Sequence, residues 1–449
     1  MSETGQELVR ELKALLSEGE EEPLQIFLQL IRPEDLARWL HQLTAEERQR
    51  ILAVLGFDAA GVVLDDTTAS IRAELIDDLE PEHLARIAET LPADEAADLI
   101  GELETADTEK VLGHLDDADE HKLRGLLSYP EDTAGGIMTP DVVALSPEST
   151  VDDAITHLRS VDEGTVTAAL YVVDDERHLL GFVRLRRLVT ARSTSRLGDI
   201  MSDDIITVDV GADQEEVAEQ VDKYNFISIP VTDSDNHLLG AVTFDDVFDV
   251  IEDEATEDIY KMAGSSAEEE ESESILHIAR YRLPWLLVCL AGTQLSTLVL
   301  TFAKGRVGLY EQMSVFTAAI MAMAGNTSLQ SSTTTVRQLA LDNLPRGRFV
   351  RHVVQEISVA LLMGVICGLV AAVLAVAFGN DPIIGLALGI AMAMGMSAAS
   401  MLGATMPLAL DLVGIDPAVS SGPLVSTIND SLALTLYFAV ATGILLLAG

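Results

Sequence analysis

Hydrophobic positions follow three different rhythms along this chain. Up to about residue 130 they recur every three or four positions in short bursts, which predicts small amphipathic helices. The stretch PEDLARWLHQLTAEERQRIL (33–52) returns as PEHLARIAETLPADEAADLI (81–100). Each copy reads as helix, turn and helix, and stacked helix pairs build a superhelical solenoid. From about 137 to 255 the rhythm changes. MTPDVVALSPESTVDDAITHL (138–158) is echoed by MSDDIITVDVGADQEEVAEQV (201–221). Each is followed by two short strands around a Gly-containing turn, ALYVVDDERHLLGFVRLRRLV (169–189) and ISIPVTDSDNHLLGAVTFDDVF (227–248). The order is β-α-β-β-α, twice. Beyond residue 282 the polar positions nearly vanish. Five apolar stretches, 283–303, 313–335, 353–378, 383–410 and 423–448, are each long enough as helices to cross a bilayer.

Charge divides the chain at the same place. It carries 73 acidic and 28 basic residues, a net charge of −45, yet only seven acidic and six basic residues lie beyond 282. The first part is therefore soluble and strongly acidic. That excess repels nucleic acid and favours cations, as ligands or as a screening atmosphere. Lys is scarce beside Arg, as in proteins that work in concentrated salt, so many carboxylates serve solubility. Cys289 and Cys367 fall in apolar runs and predict neither a disulfide nor a thiolate metal site. MSETGQELVR at the N-terminus predicts no cleavable signal peptide. Arg280 and Arg282 before the first stretch, and Arg337, Arg346, Arg348 and Arg351 between the second and third, outnumber Lys304 and Arg306 on the opposite side. This bias places the N-terminal half in the cytoplasm and the C-terminus outside.

The polar residues that survive among the apolar stretches are the candidates for chemistry. Asn326, Ser328, Gln330 and the Ser/Thr run to 335 suit a water-lined path or a bundle interior, not lipid. Asp430 lies seven residues past Pro423, about 10 Å into the last helix. A carboxylate that deep costs about 2.5–3.5 kcal/mol on insertion scales. An ion ligand is the functional explanation, and Asn429 beside it offers a second hard oxygen suited to Mg²⁺ or Ca²⁺. Gly, Ala and Ser crowd 363–369 and 386–404, which predicts close helix packing. In the soluble part, DDVFDVIEDEATEDIYKMAG (245–264) repeats Asp246, Asp249, Asp253 and Glu257 at helical spacing. Like charges so placed repel by a few tenths of a kcal/mol per pair. Spacing alone leaves two readings, a salt-adapted surface or a divalent-cation sensor. SSAEEEESES (265–274) reads as a linker, and ILHIARYR (275–282) as an amphipathic piece feeding the first span.

The β-α-β-β-α pair resembles the cystathionine-β-synthase (CBS) domain pair. With RLPWLL (282–287), MAGNTSLQ (323–330), VRQLAL (336–341), GATMPLAL (403–410) and IDPAVSSGPLVSTINDSLALTLYF (415–438), residues from about 20 to 449 resemble the MgtE-type magnesium transporter/channel family. The resemblance implies a multidomain chain. It would have an all-α superhelical N-domain (1–135), an α/β CBS-domain pair (136–255), a connecting helix with linker (256–282) and a five-helix α transmembrane domain (283–449). It further implies a homodimer in the cell membrane that lets Mg²⁺ pass, with Asp430 holding the hydrated ion and Asn326 near its path. Regulatory Mg²⁺ would bridge Asp94, Asp98, Asp213, Glu215, Asp246, Asp249, Glu254, Glu257 and Asp258 and so close the pore. An ATP site would use Tyr171, Arg186 and Phe226, although Arg187 stands where the family has an Asp for ribose, and Asn225 where relatives carry Asp. The competing readings are a membrane-anchored CBS-type sensor of metal or nucleotide that does not conduct, and an anion channel, in which the CBS pair would follow the membrane part. No GxxxxGK[ST] motif and no catalytic constellation in the apolar stretches point to an enzyme.

Overall fold

A computed structural model describes residues 3–18, 20–77, 79–161, 166–266, 275–304, 310–340 and 344–448. Two compact units divide at Glu254 and Ala255. The first unit opens with helices α1 (Glu3–Glu18), α2 (Glu21–Leu28), α3 (Pro33–Ala37), α4 (Ala45–Val54) and α5 (Phe57–Asp65). It continues with α6 (Ala69–Asp77), α7 (Pro81–Ala88), α8 (Ala93–Gly101), α9 (Thr105–Leu112) and α10 (Asp117–Leu126). The repeat is visible in three dimensions. Pro33 and Pro81 each occupy the first turn of a helix, where the missing N–H has no intrahelical partner to lose. Leu36, Ala37, Trp39 and Leu40 are buried in one copy, and Leu84, Ala85, Ile87 and Ala88 are buried at the matching places in the other.

Two three-stranded sheets follow. Strands β1 (Val142–Leu145), β2 (Val166–Val173) and β3 (Leu179–Arg184) lie in sequence order, β1 parallel and β3 antiparallel to β2. Helices α11 (Val151–Leu158), α12 (Leu185–Thr190) and α13 (Leu197–Ile200) accompany them. The second copy, β4 (Val208–Asp209), α14 (Gln214–Tyr224), β5 (Ser228–Thr232) and β6 (Leu238–Thr243), repeats the pattern and leads into α15 (Phe244–Ala263). Asn225, the departure noted above, ends α14 in the left-handed region at φ 54°, a conformation Asn tolerates better than most residues.

The two copies interlock through the LLG segments, whose glycines lie inside strands β3 and β6 and not in the turns expected from the sequence. Thr139 pairs with Ala241 of β6, and Ser202 pairs with Phe182 of β3, so the lead-in segment of each copy lies on the other's hairpin. A Cβ on Gly240 would stand 2.4 Å from the Thr139 carbonyl, and one on Gly181 would stand 2.4 Å from that of Ser202. Backbone cannot yield as a side chain end can. Gly240→Ala is expected to destabilise the first unit by about 1–3 kcal/mol, the usual cost of overpacking. Chemical unfolding of the variant beside wild type checks this; an unchanged midpoint would mean that the lead-in segment moves freely.

The second unit holds the apolar helices α16 (Ile275–Ala303), α17 (Tyr310–Ser314), α18 (Thr317–Ala340), α19 (Phe349–Ala377), α20 (Pro382–Asp411) and α21 (Pro423–Ala448). The amphipathic piece at 275–282 and the first span form one continuous helix, not two elements. Three helices are long and apolar enough to cross a membrane among the described residues: Ile278–Ala303, Phe349–Ala377 and Pro382–Asp411. Helices α18 and α21 stand at the two other expected spans; the polar run around Asn326 lowers the apolar character of α18, whereas α21 is nearly as apolar as α20. Most of the proposed linker (267–274) and Arg306 lie outside the described residues. The small-residue stretches do pack closely. A Cβ on Gly368 of α19 would lie 2.4 Å from the Gly389 carbonyl of α20. Leu362, Val365, Ile366 and Leu369 on α19 stay exposed, a surface suited to lipid.

Candidate functional site

Two places gather the residues that the sequence singles out. The first lies inside the second unit. Asn326 and Ser328 on α18 and Val425, Ser426 and Asp430 on α21 line one cavity of about 520 Å³. Cys289 of α16 and Met262 and Ala263, at the end of α15, complete its wall. Asp430 has no ion pair or hydrogen bond to another described residue, so its carboxylate is available to whatever occupies the cavity. Asn429 does not join it. Successive helical residues project about 100° apart, and Asn429 turns into the bundle, 0% exposed, with neither amide atom hydrogen-bonded. It is therefore not the second ligand expected beside Asp430.

The end of α15 is fastened at this cavity. Lys261 pairs with Glu257 one turn earlier and, at 2.7 Å, with Asp416 in the segment before α21. Burial disfavours the Lys261 ammonium, and Asp416 and Glu257 more than offset it, so its pKa is raised. Sequence reasoning missed this pair, because nothing in the spacing of Lys261 and Asp416 links them. Lys261 also gives the Glu257 carboxylate a cationic partner within the protein.

The second place is an acidic surface in the first unit. Asp94, Glu95 and Asp98 on α8, Asp65 at the end of α5, and Asp246 and Asp249 on α15 feel one another's charge. Asp94 is only 8% exposed, and its Oδ1 has no hydrogen-bond partner. Burial, then Asp246, pushes its carboxyl up to about 7. Burial, then Asp65 and Asp94, takes Glu95 to about 8, and burial, then Asp94 and Glu131, takes Asp98 to about 7. Asp65 rises to about 6, chiefly by burial. Asp65 and Glu95 are absent from the sequence-derived set, although Glu95 sits within the quoted ADEAAD; Asp65 closes α5, and its charge reaches Glu95 on α8. Asp213 and Glu215 lie at the start of α14, where Asp213 accepts the Glu215 N–H at 2.9 Å. Gln214 between them donates to Glu254 at 2.8 Å, which draws that carboxylate to the same end of α14. Among the described residues no three His, Cys, Asp or Glu side chains form a ready-made ligand cage. The hard oxygen donors and the unpartnered Asp94 Oδ1 fit a hydrated divalent cation that bridges through water.

The raised carboxylates fix a pH dependence. Their folded values lie above an unfolded value near 4, so the folded state binds more protons between about pH 4 and 8. Their contribution to stability is present at low pH and lost as pH rises through about 7, by up to about 1.4 kcal/mol per pH unit for each titrating group. Thermal unfolding followed by Trp39 fluorescence, in the full chain with Trp285→Phe, should give a lower Tm at pH 8 than at pH 5.5 in chelator. Mg²⁺ should close most of that gap; no gap in chelator would mean that the carboxylates are solvated separately.

Comparison with known proteins decides the family. The profile of the divalent cation transporter family matches residues 317–440, that of the MgtE intracellular N domain matches 31–132, and CBS-domain profiles match 134–194 and 197–253. The magnesium transporter MgtE of Enterococcus faecalis is 36% identical over 319 residues, 71% of this chain and 70% of its own length. The chain belongs to the MgtE family. MgtE of Thermus thermophilus is 33% identical over 321 residues, 70% of this chain and 71% of its own. Among solved structures, the cytosolic domain of the Mg²⁺ channel MgtE in complex with ATP is similar at 33% identity and a TM-score of 0.52, covering 54% of this chain and 99% of that one. The soluble part of a magnesium transporter matches at 30% identity and a TM-score of 0.50, over 56% and 99%. Membership makes this a membrane protein with soluble N-terminal domains, in a family of transporters and not of enzymes.

Proposed function

We propose that the chain is a Mg²⁺-gated channel for passive Mg²⁺ influx, with selectivity that can extend to other divalent cations. The observation that carries this reading is the shared cavity. Asp430 and Asn326 line it together, and Met262 and Ala263 of α15 lie against it. Mg²⁺ gives up its waters reluctantly, and one carboxylate can hold the hydrated ion through its water shell. In this reading α18 and α21 cross the membrane with the other three long helices, giving five spans in the domain 283–449. The same helix α15 carries Asp246 and Asp249 near its start and Lys261 near its end. Regulatory Mg²⁺ would be held by Asp94, Asp98, Asp246 and Asp249, with Asp65 and Glu95 added, and by Asp213, Glu215, Glu254 and Asp258. Neutralising their repulsion would favour the closed arrangement, a population shift driven by differential ion binding.

Two further assignments belong to this reading. Phe244, Phe248 and Ile251 are exposed along one side of α15, an apolar row that a second copy would cover in a homodimer. An ATP site at Tyr171, Arg186 and Phe226 has an obstacle. Tyr171 is 1% exposed, with its hydroxyl 3.4 Å from Ser228 Oγ, so a nucleotide would have to open the cleft. With Arg187 in place of an Asp for the ribose, this chain is expected to bind ATP weakly.

The test is Mg²⁺ influx into liposomes carrying the pure full-length chain. High Mg²⁺ on the side of residues 1–254 should lower the influx at least tenfold relative to low Mg²⁺. No influx under either condition would favour the non-conducting sensor.

A further inference from the structure

Helices α19 and α20 touch closely along their middles, and a groove lies between them at one end. A Cβ on Gly364 would stand 2.7 Å from the Ala393 Cα, and one on Gly385 would stand 2.9 Å from the Ala372 carbonyl oxygen. Small residues thus hold the two helices together in antiparallel register. Beyond this contact, the start of α19 and the end of α20 enclose a groove of about 340 Å³. Phe349, Val350 and Val354 line it from α19, and Thr405, Leu408 and Leu412 from α20. The Thr405 hydroxyl donates to the Met401 carbonyl of its own helix at 2.7 Å, so the lining side chains offer hydrocarbon. Neither the ion path nor the acidic surface uses this groove.

The mouth of the groove is apolar and cationic at once. Val350 is 78% exposed, Val354 55% and Leu412 58%. Arg348 lies in the turn that leads into α19. Arg351 precedes Val354 by three residues, which makes the two side chains neighbours on the helix surface. Both arginines are exposed, and neither has an ion pair or a side-chain hydrogen bond among the described residues. Two carboxylates enter the balance. Asp411, three residues past Leu408, closes α20 at the same rim. Glu356 sits five residues beyond Arg351, about 7 Å deeper along α19. The rim therefore carries two cations against one anion, in a chain whose net charge is −45.

We propose that this groove binds an anionic phospholipid, one acyl chain lying along Val350, Val354 and Leu412 and the phosphate meeting Arg348 and Arg351. Burial of the chain supplies affinity that any lipid would share. The headgroup supplies the choice. A guanidinium presents paired N–H donors to phosphate oxygens, and its stem can lie along the valines while the charge stays at the water interface. A zwitterionic headgroup brings its own ammonium to the same two cations; an anionic one does not. Basic pockets between helices on the cytoplasmic side suit anionic headgroups. The site needs only α19 and α20 in a bilayer, and its place in the cytoplasmic leaflet rests on the five-span reading above.

The experiment titrates the full-length chain in detergent with phosphatidylglycerol or phosphatidylcholine and counts bound lipids by native mass spectrometry. Wild type should retain one phosphatidylglycerol per chain, with at least tenfold higher affinity than phosphatidylcholine. Arg348→Gln with Arg351→Gln should remove that preference. Arg348→Lys with Arg351→Lys keeps the charge and should retain most of it, and Lys304→Gln, at the opposite end of the bundle, should leave it unchanged. Val350→Trp with Val354→Trp fills the groove and should release the lipid, which tests the site even where the arginine variant fails to fold. Equal affinity for the two lipids in wild type, or an unchanged preference after both arginines become Gln, would overturn the proposal. Displacement of the lipid by excess glycerol phosphate, which lacks acyl chains, would also overturn it. So would a groove-filled variant that keeps its lipid but no longer dimerises, the mark of a groove covered by a second copy. The leaflet is read separately, from Arg348→Cys in a Cys289→Ser, Cys367→Ser background. An impermeant thiol reagent should reach it from the side of residues 1–254; reaction only from the other side would overturn the five-span placement and leave the lipid preference standing.

Discussion

Replacing Asp430 by Asn should lower Mg²⁺ influx into liposomes at least a hundredfold, with internal Mg²⁺ kept low. The two side chains have nearly the same shape, so the helix and its packing should persist while the charge disappears. At an effective dielectric constant of 20, two unit charges 4 Å apart attract by about 4 kcal/mol, and a divalent ion doubles this. Even after loss to water in the ion's own shell, the remainder exceeds the ~2.7 kcal/mol that a hundredfold change requires. Asp430 has no described protein partner whose release could compensate. Equal influx through wild type and variant would move the ion's site elsewhere in the same cavity, with Asn326 the next candidate.

The second large effect concerns the acidic surface. Asp94→Asn combined with Asp246→Asn should shift the Mg²⁺ concentration that half-stabilises the first unit upward by at least tenfold. A ligand present at 100 times its Kd stabilises by about 2.7 kcal/mol. In the proposed reading that gain would come from neutralising carboxylates such as Asp94 and Asp246, whose pKa values are raised chiefly by burial, with neighbouring carboxylates adding to it. Removing two of them should also raise the melting temperature in chelator, because the repulsion is gone before any ion arrives. The Trp39 fluorescence melt described above measures both quantities in one titration. An unchanged Mg²⁺ response would place the regulatory ion elsewhere, with the end of α14 near Glu254 the alternative.

How much of this was legible in the sequence depends on the kind of signal. The helix-pair repeat, the doubled β-α-β-β-α order and the apolar stretches are periodic, and periodicity survives in one dimension. Asp430 was legible because a carboxylate within an apolar run violates the run. Asp94, Asp98, Asp246 and Asp249 were named through the family resemblance, since spacing could not separate a sensor from a salt-adapted surface. Asp65 and Glu95 were missed, as their proximity to Asp246 exists only after α5, α8 and α15 pack. Asn429 was misread because adjacency in sequence is not adjacency on a helix. Lys261 and Asp416 belong to elements that four long helices separate, and a pair of that kind leaves no local trace.

The crossed glycines have a consequence during synthesis. Gly181 is shaped to receive Ser202, and Gly240 to receive Thr139. A chain leaving the ribosome at about 5–20 residues per second presents the first hairpin seconds before the second exists. The segment around Thr139 therefore waits without its strand until Ala241 emerges. A nascent chain stalled before that point would expose the apolar strand β2 and its neighbours, as a substrate for chaperones. The two halves of the pair are thus born in order but can mature only together.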